Sequence, residues 1–111
     1  MNDALRMERR NVYIGDRRTT LALEHYFWKT LESISFVENM TIDEILTTIN
    51  EARRNQTRLT PTVRYIINQT VKIQHEGEDF ASELGETKPV FPSAFHQAMD
   101  TLAKTDAAQN N

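Results

Sequence analysis

The stretch RRTTLALE, residues 17–24, holds side chains whose types and spacing could engage an anionic partner. If it is extended, Arg18, Thr20 and Ala22 share one face and Thr19, Leu21 and Leu23 the other. The second face is apolar. The first is short and polar, with an arginine at its head, and Arg9, Arg10 and Arg17 stand close by in the sequence. Such a segment is either an ordinary half-buried strand or a strand made to lie against something negatively charged.

Other chemistries find little support. The chain has no cysteine, which removes disulfides, thiolate nucleophiles and cysteine metal sites together, and its three histidines, His25, His75 and His96, are widely spaced. No metal, cofactor or enzymatic activity is therefore expected. Asp43-Glu44 reads as a solvated first turn rather than an acid/base pair, because nothing around it in the sequence supplies a nucleophile or a pocket. His25 is expected on a helix surface, and Trp28 with Phe27 in packing rather than base stacking.

At 111 residues the chain has room for one small domain and a tail. Its net charge of −3 conceals a gradient. The first eighteen residues are net basic through Arg6, Arg9, Arg10, Arg17 and Arg18, whereas the segment from Glu76 onward is strongly acidic. That asymmetry suits a basic end facing nucleic acid, and equally a solvated surface of uneven charge. No segment approaches the 18 or so apolar residues of a membrane span, and MNDALRMERR lacks the apolar stretch of a signal peptide, so a cytoplasmic protein with no membrane partner is expected.

These side chains need elements to position them. Val12 and Ile14 alternate with Tyr13, and Gly15-Asp16 can make a tight turn, so Val12 to Ile14 should pair back on Arg17 to Leu23. From Glu24 the period becomes helical, with Phe27, Leu31 and Ile34 recurring and Trp28 beside them, which predicts a helix to Glu38 capped by a left-handed Asn39. Thr41 with Glu44 three residues on is a capping box, opening a second helix with Ile42, Ile45, Leu46 and Ile49 on one face. In LTP, Thr60 can cap and Pro61 take the first position of a third helix, bearing Val63, Ile66 and Ile67, that runs to about His75 and stops at Gly77. Residues 78–92 read as linker, and a short helix over Ser93 to Ala103 would carry Phe95, Met99 and Leu102.

This order of elements, with the pattern RTTLALEHYFWKTLESI, then MTIDEIL, then LTPTVRYII, resembles the bacterial ribbon-helix-helix DNA-binding family of the Arc/MetJ type. The resemblance implies a mainly α fold with a short β-ribbon, a ribbon-helix-helix homodimer with an additional C-terminal helix. Two strands would pair across a two-fold axis over a shared core of Leu21, Leu23, Phe27, Trp28, Leu31, Ile34, Ile42, Ile45, Leu46 and Ile49. The outward ribbon face would enter the major groove of double-stranded DNA, with Arg18, Thr20 and Ala22 facing base edges. Thr41 and Ile42, at a helix N-terminus, would meet a phosphate, flanked by Arg17, Arg9 and Arg10.

The expected organisation is an N-terminal arm (1–9), the ribbon-helix-helix domain with its third helix (10–77) and an acidic linker and tail (78–111). The function implied is a sequence-specific transcriptional regulator, most simply a repressor, homodimeric or further assembled on DNA. Two alternatives stay open: an antitoxin whose C-terminal segment binds a toxin, and a dimeric protein-interaction module that does not bind DNA.

Overall fold

The computed structural model of the chain describes residues 3–53, 57–84 and 93–109. A single 3-10 turn at Asp3–Leu5 leads into strand β1 (Met7–Ile14) and strand β2 (Arg17–Glu24). Helices α1 (His25–Glu38), α2 (Ile42–Ala52), α3 (Leu59–Leu84) and α4 (Ala94–Gln109) follow. The class is the expected one: mostly helical, with one two-stranded antiparallel sheet.

β1 and β2 form a hairpin in the register Met7↔Glu24 to Ile14↔Arg17. Gly15 has φ +64° and Asp16 does not have positive φ, the pattern of a type II′ turn, which wants glycine at its first central position. A Cβ on Gly15 would touch nothing within 4 Å, so backbone conformation alone calls for glycine there. The strand is longer than the apolar alternation indicated: Met7 to Arg9, expected as part of an arm, pair with Ala22 to Glu24. Residues 7–10 carry no apolar alternation, so their extended conformation rests on pairing with β2 and not on their own pattern.

Glu24 is the N-cap of α1, and Asn39 ends the helix at φ 55° and ψ 42°. Asn39 N–H donates to Phe36 O at 3.4 Å and Met40 N–H to Ser35 O at 3.1 Å, the paired bonds of a Schellman motif. The capping box of α2 is complete: Glu44 N–H donates to Thr41 Oγ1 at 3.0 Å, and Thr41 N–H to Glu44 Oε1 at 3.2 Å. α3 starts at Leu59 and passes through Gly77 to Leu84, seven residues beyond the expected stop. One glycine lowers helix stability by about 1 kcal/mol relative to alanine, which the packing of α4 along α3 can offset.

The core is closed by one chain. Val12, Leu21 and Leu23 of the hairpin meet Trp28, Leu31 and Ile34 of α1, Ile45, Leu46 and Ile49 of α2, and Val63, Ile66 and Ile67 of α3. Phe95, Ala98 and Leu102 of α4 complete it. Of the side chains assigned to a dimer core, Leu21, Leu23, Trp28, Leu31, Ile34, Ile45, Leu46 and Ile49 are thus buried without a second copy, while Phe27 and Ile42 pack partly buried against them. The physical reason is the extra material: β1 supplies the second strand and α3 with α4 the cover that a minimal strand-helix-helix unit would need from a partner. Ser93 to Leu102 belong to this packed body rather than to a detached tail: Ser93 Oγ caps α4 by accepting from His96 N–H at 3.2 Å and donates to Glu38 Oε1 of α1 at 2.7 Å.

Candidate nucleic-acid interface

Strand alternation and register decide which side chains leave the surface together. On the outer face of the hairpin, Arg9 stands opposite Ala22, Asn11 opposite Thr20, and Tyr13 opposite Arg18. Arg9, Asn11, Tyr13, Arg18 and Thr20 are exposed, and Ala22 is half-buried. Thr20 Oγ1 donates to Asn11 Oδ1 at 2.9 Å, a polar rung between the two strands. Arg17, beside the turn, is also exposed. Arg18, Thr20 and Ala22 do share one outward face as their spacing requires, but they form only half of it. Asn11 lies one residue before the Val12 to Ile14 segment expected as strand, and Tyr13, within it, was assigned no contact; the signal for both was the same alternation.

Behind this face the hairpin is held at both ends. Trp28, wholly buried in α1, donates its indole N–H to Glu8 O at 2.8 Å. Arg10 lies on the inner face, its guanidinium carbon 4.8 Å from the centre of the Trp28 ring, bonded to Glu8 Oε2 at 2.6 Å and to Glu32 Oε1 at 3.2 Å. Arg9 and Arg10, grouped in the sequence as flanking phosphate contacts, therefore point to opposite sides, and Arg10 is engaged within the protein. His25 Nδ1 meets Glu8 Oε1 at 3.0 Å. That contact, followed by the Arg10 guanidinium, holds the Glu8 carboxyl below its ordinary range.

At the turn end, Tyr13 N–H donates to Asp43 Oδ1 at 3.1 Å and Gly15 N–H to Thr47 Oγ1 at 2.9 Å. Asp43, expected only as part of a solvated first turn, thus covers the open edge of β1. These bonds also bring the N-terminus of α2, with exposed Thr41 and partly buried Ile42, alongside the ribbon's turn. Arg64 of α3 grips Glu24 at the end of β2 through two bonds of 2.6 and 3.1 Å, which lowers the Glu24 carboxyl's affinity for protons. The outcome is a two-stranded ribbon, mostly polar on its free side and tied to three helices.

A model of the ribbon-helix-helix domain matches residues 7–71, more than half of the chain. The chain belongs to the ribbon-helix-helix family. Domains of this family are in general DNA-binding, dimerising and non-enzymatic. No curated protein and no solved structure matches the chain. The match spans the hairpin, α1, α2 and the first half of α3, so every ribbon contact described above lies within it, and α4 lies outside it. Among the described residues, no group of three or more His, Cys, Asp or Glu side chains could hold a metal ion, and no helix is long and apolar enough to cross a membrane.

Proposed function

We propose that this ribbon-helix-helix protein is a sequence-specific DNA-binding transcriptional regulator of the bacterial cytoplasm, most simply a repressor, that lays its hairpin into the major groove of its operator. The observation that carries this reading is the outward face of the ribbon, where Arg18 and Thr20 project from a hairpin held in place by Trp28, Arg10, Asp43 and Arg64. A groove about 12 Å wide admits a two-stranded ribbon whose strands lie about 5 Å apart. Arg18 can fork onto guanine O6 and N7, Thr20 can bond a base edge, and Ala22 can meet a thymine methyl. Arg9 and Arg17 reach phosphates on either side, and the α2 N-terminus at Thr41 and Ile42 adds backbone N–H groups beside the turn. Arg10 is removed from the set of DNA contacts, since its role is to brace the ribbon.

A regulator of this kind works as a pair, and the face of α1 offers a surface for a second copy: Phe36 is 88% exposed, Val37 63% and Tyr26 46%. The antitoxin alternative would require α4 to leave a core in which Phe95, Ala98 and Leu102 are buried, so the regulator reading stands ahead of it. Mapping the DNA bound by the tagged protein across its genome tests the proposal. Discrete peaks sharing a short motif in promoter regions are expected; uniform or absent enrichment would contradict it.

A further inference from the structure

We infer that Asn11, on β1, is a specificity-determining residue of the ribbon and reads an adenine in the major groove of duplex DNA. The inference rests on the DNA-binding reading above and assigns a base to a strand that the Arg18, Thr20 and Ala22 pattern leaves out. Asn11 stands directly across from Thr20, both are exposed, and both lie on the free face of the ribbon. The Thr20 hydroxyl donates to Asn11 Oδ1 at 2.9 Å, and that bond fixes how the pair meets a base. The amide is turned so that Oδ1 faces Thr20 and Nδ2 points away from it. One lone pair of Oδ1 is taken and the other remains, while both Nδ2 protons are available for donation outward.

A side-chain amide held in this way presents one acceptor and one donor side by side. Adenine's major-groove edge presents the complement, N7 as acceptor and the N6 amino group as donor. Guanine offers two acceptors, N7 and O6, and would set O6 against Oδ1. Cytosine offers only its amino donor, and thymine an acceptor beside a methyl group. Thr20, its proton already given to Asn11, acts as an acceptor and as the brace that keeps the amide from rotating. The rung thus reads as a unit, and the amide is pre-oriented before DNA arrives, so less side-chain freedom is lost on binding. The neighbouring rungs do not compete for the position: Ala22 opposite Arg9 is short, and Tyr13 opposite Arg18 sits nearer the turn.

Selection from a randomised duplex pool at one fixed salt concentration, run with the full chain, tests this. The wild type should enrich a motif with an invariant A·T pair. Asn11→Ala should enrich the same motif with that one pair relaxed to any base, and should bind the wild-type motif roughly 5- to 150-fold more weakly. Replacing the adenine by guanine should cost the wild type a similar factor and leave Asn11→Ala unaffected, the outcome of a double-mutant cycle across protein and base. Asn11→Asp, nearly the same shape, should lose as much as the alanine variant, because a carboxylate cannot donate to N7; it secures the test if alanine disturbs the strand. Retention of the adenine by both variants, with affinity within about twofold of wild type, would overturn the assignment to Asn11 and leave DNA reading by Arg18 and Thr20 standing. Failure of the wild type to enrich any motif would instead overturn the DNA-reading function beneath it.

Discussion

Two adjacent arginines carry the sharpest contrast at the scale of single residues. Arg9 leaves the ribbon on its free face, whereas Arg10 is bound to Glu8 and Glu32 and lies over Trp28. Arg9→Ala should leave melting unchanged, weaken binding to all duplexes alike and reduce the slope of log affinity against log salt by about 1. Arg10→Ala should do the opposite, lowering the melting temperature while leaving the salt slope intact; a salt slope that falls equally for both would contradict the assignment of faces. Trp28→Phe keeps most of the apolar volume but leaves Glu8 O without its indole donor, a loss of about 1–3 kcal/mol, which should appear as a lower denaturation midpoint in urea. Alternation made the outward placement of Arg18, Thr20 and Ala22 legible in the sequence. The division of Arg9 from Arg10 follows from the same rule, but the polar run from Met7 to Arg10 gives no apolar mark of where the strand begins.

Elements show how much of a fold local chemistry can announce. The Gly15-Asp16 turn, the Asn39 cap and the Thr41–Glu44 capping box were each readable from short-range patterns, and each is found in the structure. Long-range ties were not readable. Nothing near Glu24 in sequence indicates Arg64, forty residues away, and nothing near Tyr13 indicates Asp43. These ties carry a pH dependence. Glu24 is held below the usual carboxylate value of 4.5 by Arg64, Glu8 by His25 and then Arg10, and Glu32 by Lys29 and then Arg10. A carboxyl whose affinity for protons is lower folded than unfolded adds stability above the unfolded value and loses it as pH falls through the folded one. Thermal stability should therefore be level above pH 4.5 and decline below it. In Arg64→Met the decline should be shallower, since the Glu24 contribution is already gone; an unaltered acid limb would show that this ion pair adds nothing.

For the whole molecule, the main departure from the sequence reading is that one chain closes its own core. Helical spacing revealed the stripes of α3 and α4, with Val63, Ile66 and Ile67 on one and Phe95 and Leu102 on the other, but spacing along a helix does not say against what the stripe packs. The acidic composition after Glu76 made residues 78–111 read as a tail, although Ala94, Phe95, Ala98 and Leu102 are buried. A chain ending at Gly77 should thus be destabilised, by ~3–6 kcal/mol from Phe95 and Leu102 alone, and should bind a dye specific for apolar surface; unchanged melting would return those residues to the status of a tail. Phe36→Ser with Val37→Ser should convert a dimer into a monomer in sedimentation with helical content retained and the melting temperature no longer dependent on concentration, and a wild type that sediments as a monomer would remove the second copy from the account. The central claim, that the free face of the hairpin binds DNA, is tested most directly by measuring the affinity of Arg18→Ala/Thr20→Ala for a duplex selected by the wild type, beside its melting temperature. The double variant should melt as the wild type does and lose affinity by on the order of a hundredfold or more, as expected for two lost base contacts. A folded double variant that binds the same duplex with wild-type affinity would contradict the account.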